Sequence, residues 1–523
     1  MGVEAELAQP FGDFTALVRR HARERPAARA IVHGERAVTF AELDALLDRV
    51  AATLQEQGVG PCAAIAICAG DGIEYMALFL GALRVGVAVA PIAPSLTPDS
   101  IAAMAIDSGA RFLFVDRTVE AALAGRVTPP RIRLDDPEAL ARWLAPYDPR
   151  PGPVAIAPDW PFNIIYSSGT TGEPKGIVQP HAMRWTHVQR AVQYGYGPQA
   201  VTLVSTPLYS NTTLVVALPT VALGGTLVLM GKFDPAGFLA LAERHRATHA
   251  MLVPVQYQRI MARDDFGRYD LASFRVKFST SAPFAAAMKR DVLARWPGGL
   301  VEFYGMTEGG GTCVLLAHQH PEKLHTVGQP APGHEIRVID DAGREVPRGE
   351  PGEVVGHSAA MMTGYHNRPA QSREAEWFDM VGRRYIRTGD IGRFDSDGFL
   401  VLVDRKKDMV ISGGFNIYPG DLEAVAREHP AIAEVAVVGV PSERWGETPV
   451  AFVVARDGAR FDAAEFLAWC NARLGKTQRL AAVERLESLP RSGIGKVLKR
   501  ELRARYSGRD APGAPATHNN RQS

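Results

Sequence analysis

From residue 63 onward, and through most of the chain before residue 400, short apolar β-branched runs alternate with stretches whose apolar residues recur at helical spacing. Ala63 to Cys68 reads as a strand, Ile73 to Val85 as a helix, Val87 to Ile92 as a strand, Pro98 to Ser108 as a helix and Phe112 to Val115 as a strand. The pattern returns with Thr226 to Met230 (strand), Pro235 to His245 (helix) and His249 to Val253 (strand). A helix between successive strands carries the chain back over the sheet, so this order predicts parallel sheets wrapped by helices, an α/β fold. Near residue 330 the texture changes. "RVIDDAGREVPRGEPGEVV" and "GRFDSDGFLVLVDRKKD" are short strands punctuated by Gly and Asp turns, which predicts a small antiparallel or barrel-like unit.

Length then bounds the domain count. A chain of 523 residues exceeds one compact core and predicts about two to four domains. After the charged run Asp404 to Asp408 come a helix (Pro419 to Glu428), two strands (Glu434 to Gly439, Pro449 to Ala455), another helix (Ala463 to Arg473) and a final basic helix, enough for a separate α+β domain. The expected division is 1–404, a connector at 405–408, 409–506, and a polar tail at 507–523 that reads as disordered.

Charge and cysteine content exclude several roles. Lys plus Arg number 58 against 57 Asp plus Glu, which leaves no electrostatic case for a nucleic-acid partner. The greasiest stretch, Tyr75 to Pro94, is broken by Gly81, Arg84 and Gly86 and reads as a buried helix and strand rather than a membrane span. Four cysteines lie far apart with no CxxC pair, and the first residues lack a basic start followed by an apolar core. Disulfides and zinc are therefore not expected, and a cytoplasmic address is.

The chemistry-bearing segments begin with "YSSGTTGEPKG", residues 166–176. Ser167, Ser168, Gly169, Thr170, Thr171 and Gly172 follow a strand end, and small hydroxyl and glycine residues let backbone N–H groups turn onto an anion. Lys175 adds a mobile positive charge. A P-loop needs G-x4-G-K-[ST] at the start of a helix, which Pro174 and Gly176 oppose. Alone, the segment favours an anion-binding loop over an ordinary surface turn. In "VEFYGMTEGGG", residues 301–311, Tyr304 offers a ring to a purine, Thr307 a hydroxyl to phosphate and Glu308 a hard oxygen to magnesium. In "YIRTGD" the carboxylate of Asp390 follows a turn, where it could accept two ribose hydroxyls. "DRKKDMVISGGFNIYPGDLE" joins a charged connector to a Gly-Gly turn, and "PRSGIGKVLKRELR" sets Lys496 in a glycine-flanked loop. Each alone has a bland structural explanation.

Together, in this order, these five segments resemble the adenylate-forming superfamily, which includes acyl-CoA synthetases, adenylation domains of peptide synthetases and luciferases. The resemblance runs over residues 12–506. It implies a large N-terminal domain of two α/β subdomains plus a small β-barrel, with a smaller, mobile α+β C-terminal domain. It also implies two half-reactions: a carboxylate attacks the α-phosphate of ATP, giving an acyl-adenylate and pyrophosphate, and a thiol then displaces AMP. ATP, Mg2+ and coenzyme A are the implied cofactors and co-substrates, and a small carboxylic acid is the implied partner. By the same resemblance, residues 167–175 hold the β- and γ-phosphates, Glu308 the magnesium and Thr307 the α-phosphate. Phe303, Tyr304, Gly305, Ser281, Ala282 and Pro283 border the adenine, while Asp390 and Arg405 take the ribose. Lys407 falls at the hinge, Ser412, Gly413 and Gly414 line the thiol path, and Lys496 is the catalytic lysine of the first half-reaction.

The branch is narrower. No Asp occupies "STPLYSNTTLV", where an amino-acid substrate's ammonium would need one, and no carrier domain is expected after Lys496. Both disfavour a peptide-synthetase domain; the "SGGFNIYP" segment favours a carboxylate–CoA ligase over a loader of carrier proteins, and the presence of Lys496, Glu308 and Asp390 disfavours a nucleotide sensor without turnover. Ser210 stands where many relatives have histidine, so inferences from that histidine do not transfer. Tyr209, Ser210, Asn211, Val255, Gln256, Gly309 and Gly310 are the pocket candidates, and none is cationic. They point to a monocarboxylic acid, aromatic or medium-chain aliphatic. A homodimer is left open.

Overall fold

The protein is described here by a computed structural model covering residues 3–144, 150–167, 175–412, 415–442, 446–475, 478–492 and 495–507. The strands and helices expected from periodicity are all present, their ends shifted by three residues at most. Two units separate along the chain: residues 1–337, 355–388 and 398–400 form one, and 338–354, 389–397 and 401 onward the other.

The first unit is built on two sheets. One has nine strands in the order Gln329–Pro330, Cys313–Leu316, Gly299–Tyr304, Val276–Ser279, His249–Leu252, Val201–Val204, Thr226–Leu229, Arg29–His33 and Arg36–Thr39. Its interior pairs are parallel and its edges antiparallel. The other has seven strands, ordered Gly364–Tyr365, Lys175–Pro180, Pro161–Ser167, Ala88–Pro91, Ala64–Cys68, Ala110–Val115 and Arg131–Arg133. Ala64–Cys68 is buried along its whole length, as a central parallel strand covered on both faces must be. The helix Ile73–Leu83 that follows is buried almost all round, so apolar residues occupy every face of it rather than one stripe. Arg84, the charge that interrupts this greasy stretch, is buried and paired with Asp44 at 2.5 Å and Asp48 at 2.7 Å on the helix Phe40–Glu56. That helix starts on a capping box between Thr39 and Glu42, an arrangement worth about 1 kcal/mol. One apolar core contains residues of both sheets, among them Ile65, Ile67 and Val89 with Ile31, Leu227 and Val301. Among the described residues no helix is long and apolar enough to cross a membrane.

At one edge of the seven-stranded sheet the helical alternation stops. Pro161–Ser167 and Lys175–Pro180 form an antiparallel pair, with Ser167 opposite Lys175 and Tyr166 opposite Gly176. A strand therefore follows residue 174, not the helix a P-loop requires. Gly364–Tyr365 pairs outside it, Tyr365 opposite Ile177. Gly176 is needed as glycine: a Cβ there would lie 2.8 Å from Ile164 Cγ2 and 3.2 Å from Tyr166.

The change of texture near residue 330 is a five-stranded sheet ordered Glu335–Ile339, Gly352–His357, Arg384–Phe394 and Glu376–Phe378, with Leu400–Arg405 also on Arg384–Phe394. In the second unit, Phe415–Ile417, Val410–Ser412, Gly446–Ala455 and Ile432–Ser442 form a sheet, and Ala482–Arg485 joins Gly446–Ala455 in parallel. The helices Pro419–Arg427 and Ala463–Asn471 close its core around Leu422, Ala426, Phe466 and Cys470. Gly420 lies so close to the preceding connector that a Cβ would stand 2.6 Å from Val403 O.

Candidate functional site

In the first unit, the sheet edge assembles three expected or unexpected site residues. Glu308 leaves the end of the strand Gly299–Tyr304 in a short loop, and its backbone oxygen accepts from Met362 N at 2.8 Å. Its carboxylate Oε1 accepts from the Tyr365 hydroxyl at 2.9 Å. Lys175 Nζ stands 5.1 Å from the centre of the same Tyr365 ring. Burial, then the Glu308 charge and this hydrogen bond, hold the Tyr365 hydroxyl firmly protonated. Lys175 and Glu308, far apart in sequence, are thus brought to one tyrosine.

The loop carrying Thr307 is held from behind by a buried polar chain. Arg184 Nε donates to Asn163 Oδ1 at 3.0 Å, Asn163 Nδ2 donates to Gln179 Oε1 at 2.9 Å, and Gln179 Nε2 donates to Thr307 O at 2.6 Å. Gln179 Nε2 also approaches Asn211 Oδ1 at 3.4 Å. Arg184 is itself buried and lies over the Phe162 ring, and burial lowers its pKa to about 9. The glycines after Glu308 are packing positions. A Cβ on Gly309 would stand 2.0 Å from Ala360 O, and one on Gly310 2.7 Å from Gly356 O. Both have φ in the left-handed region, +76° and +85°.

The remaining candidates divide by what engages them. Ser210 caps the helix Asn211–Ala222, its Oγ accepting from Thr212 N at 3.3 Å. Gln256 is consumed by local structure: Oε1 accepts from Val253 N, and Nε2 donates to Ser205 O and Oγ. Tyr209 and Val255 are partly buried, and burial raises the Tyr209 pKa. Ser281 adopts φ +79°, uncommon for a residue with a Cβ, and its hydroxyl meets that of Thr212 at 2.6 Å. Ala282 and Pro283 follow it on the loop after Val276–Ser279. Phe303 packs into an aromatic group with Phe278 at 5.5 Å and Tyr194 at 5.7 Å, while Tyr304 and Gly305 run on to the Thr307 loop.

In the second unit, Asp390 is buried and ion-paired with Arg405 Nε at 2.6 Å. Lys406 beside it is anchored to Asp341 at 2.8 Å and Glu353 at 3.2 Å, inside the one-turn helix Lys406–Asp408 that contains Lys407. Lys496 is exposed on a turn closed by Ser492 N donating to Lys496 O at 2.8 Å. Of the basic helix after it, Lys499 pairs with Glu423 and Arg503 with Asp408. Ser412 ends the strand Val410–Ser412. Ser168, Gly169, Thr170, Thr171, Gly172, Gly413, Gly414, the side chains of Ser167 and Lys407, and residues 508–523 lie outside the described residues.

Sequence reading missed Tyr365, Gln179, Asn163 and Arg184. The signal for Tyr365 was present but weak, a lone aromatic after glycine in "TGYHNRP". Among the described residues no three His, Cys, Asp or Glu side chains gather as a metal cage. A single carboxylate with room for phosphate oxygens and water is nonetheless how Mg2+ is commonly held, so the donor set fits that ion.

Comparison with known proteins identifies the family. The profile described as AMP-binding enzyme matches residues 18–366, and that described as AMP-binding enzyme C-terminal domain matches 421–496. A feruloyl-CoA synthase of Amycolatopsis sp is 35% identical over 93% of this chain and 98% of its own. The fatty acid–[acyl-carrier-protein] ligase ScoC of Streptomyces coeruleorubidus is 31% identical over 94% of this chain and 96% of its own. Among solved structures, the amide bond synthetase McbA from Marinactinospora thermotolerans superposes with a TM-score of 0.84 at 30% identity, covering 94% of this chain and 99% of that one.

Proposed function

The chain belongs to the AMP-binding enzyme family and is an AMP-forming acyl-CoA synthetase using ATP, Mg2+ and CoA; from that premise we propose that it activates an aromatic or medium-chain monocarboxylic acid. The observation that carries the reading is the convergence of Glu308 and Lys175 on Tyr365. A carboxylate and an ammonium flank the hairpin whose connecting loop has the composition of an anion cradle.

In this reading, one carboxylate oxygen of the acid attacks the α-phosphorus, the bond to pyrophosphate breaks, and the acyl-adenylate forms. Bound Mg2+ neutralises charge on the phosphates. Glu308 orients that ion, Tyr365 fixes the Glu308 rotamer, and Lys175 offsets charge on the leaving group. Gln179 holds the Thr307 loop so that its hydroxyl meets phosphate in a set position. Asp390 and Arg405 take the ribose hydroxyls. Lys496, a compact charge on a long stem, bridges carboxylate and nucleotide oxygens when the C-terminal domain closes about Lys407. In the second half, the CoA thiol gives up its proton, its sulfur attacks the carbonyl carbon, and the C–O bond to AMP breaks. Ser412, Gly413 and Gly414 border the thiol's path.

Incubation with ATP, Mg2+, CoA and a panel of carboxylic acids, reading AMP release, tests this. An aromatic or medium-chain acid should give CoA-dependent AMP. ATP binding with no AMP from any acid would sink the reading. The carrier-protein ligase among the relatives motivates a second reading, in which the acyl group passes to a carrier protein. It predicts adenylate formation indifferent to CoA.

A further inference from the structure

A cavity of about 360 Å3 lies between the helix His181–Ala191 and the segments 332–334 and 358–360, with Arg190, His187 and His334 on its walls. It adjoins the segment that carries Glu308: Ala360 O accepts from Gly310 N at 3.0 Å, and Arg190 lies over Phe303, next to Tyr304, at 5.2 Å. Arg190 is the charge that needs explaining. Among the described residues no carboxylate is a charge partner of it, and burial depresses its pKa. A cation over one ring recovers only part of what desolvation costs an ion.

The neighbours do not compensate it. His334 Nδ1 accepts from Thr312 N at 3.0 Å, so its proton sits on Nε2, and burial lowers its pKa to about 4. It pins the Gly310–Thr312 wall and stays neutral. His187 has a buried Nδ1 without a hydrogen-bond partner and is held neutral by burial and by the charges of Arg190 and Arg184. Other lining residues, such as Pro332, Gly333, Ala359 and Ala360, offer no acidic side chain. The cavity is thus lined by one permanent cation and by a histidine that has one buried nitrogen without a partner, and its volume is at the lower end of the roughly 300–1,000 Å3 typical of small-molecule pockets.

We propose that this cavity receives the end of the acid remote from its reacting carboxylate, and that Arg190 with His187 selects acids bearing an oxygen acceptor there. A phenolic hydroxyl or a keto oxygen would each supply it. The inference rests on the ligase reading above and adds the substrate class.

The test compares acids that differ only in the distal oxygen: cinnamic with 4-hydroxycinnamic acid, and benzoic with 4-hydroxybenzoic and terephthalic acid. AMP release gives kcat and KM for each. The wild type should favour the oxygenated member of a pair by roughly 10-fold or more in kcat/KM, mostly through KM. Arg190→Met should erase that preference, and Arg190→Lys should keep part of it. Preference for the hydroxyl arm keeps the monocarboxylic reading, and preference for terephthalic acid would overturn it. Equal turnover of both members by the wild type, or a preference that survives Arg190→Met, would overturn the inference and leave the ligase reading standing. AMP from no acid at all would overturn both.

Discussion

The Tyr365 hydroxyl donates to Glu308 Oε1 at 2.9 Å, and the strand pairing of Tyr365 with Ile177 puts it beside Lys175. This tyrosine orients the carboxylate assigned to magnesium. Tyr365→Phe keeps the ring under Lys175 and removes only the hydrogen bond. The KM for Mg–ATP should rise by roughly 10-fold with a smaller change in kcat, as expected for a hydrogen bond to a charged group. Pyrophosphate exchange measured against Mg2+ concentration checks this, and an unaltered Mg2+ dependence would count against the role of Tyr365.

Lys496 is exposed on its turn. Lys496→Ala should abolish adenylate formation yet largely spare thioester formation from supplied acyl-adenylate. Survival of pyrophosphate exchange in that variant would refute the assignment.

Gln179 is fully buried, with its oxygen accepting from Asn163 and its nitrogen donating to Thr307 O. Gln179→Leu strands both partners and should cost about 1–3 kcal/mol. The same change should slow adenylation, because the Thr307 loop loses its tether. Urea unfolding and exchange rates measured on one preparation separate the two effects, and a destabilised variant with wild-type kcat would limit Gln179 to a folding role.

Gly309 combines φ +76° with an Ala360 oxygen 2.0 Å from where a Cβ would sit. Gly309→Ala must move the 358–361 backbone, at a cost of roughly 2–4 kcal/mol. Thermal unfolding gives the value, and a wild-type midpoint would show that the segment yields freely.

His181 is buried against Phe162, and burial lowers its pKa from 6.5 to about 4. The folded protein therefore keeps it neutral while the unfolded chain takes up a proton below pH 6.5. Its contribution is complete above pH 6.5 and is lost as pH falls toward 4, at about 1.4 kcal/mol per pH unit. Asp71 and Glu302, both raised to about 6 by burial, act in the opposite sense over the same range, so the comparison must be with a variant. His181→Phe should flatten the acid limb of the stability curve by one proton. Parallel wild-type and variant curves between pH 4 and 6.5 would refute it.

Much of the fold was legible because its signals are local. Ala64–Cys68 is a continuous apolar run and Ile73–Leu83 a helix-length one, and neither requires knowledge of its neighbours to be recognised. The site was legible only in pieces. Gln256 looked like a pocket residue, and its amide is spent on Val253 and Ser205. Ser210, a pocket candidate, also caps a helix. The pocket candidates contained no cation because Arg190 sits on a helix whose sequence gives no sign of facing a cavity.

By itself the sequence determined the class of fold, the order of its elements and the five segments that resemble an adenylate former, since periodicity and turn chemistry act over a few residues. Tertiary structure alone decided that Lys175, Tyr365 and Glu308 meet, that Gln179 reaches the Thr307 loop, and that Arg190 faces an uncompensated cavity. Those relationships depend on which strands pair and which helix packs where, and strand pairing joins residues by hydrogen bonds that take no account of distance along the chain.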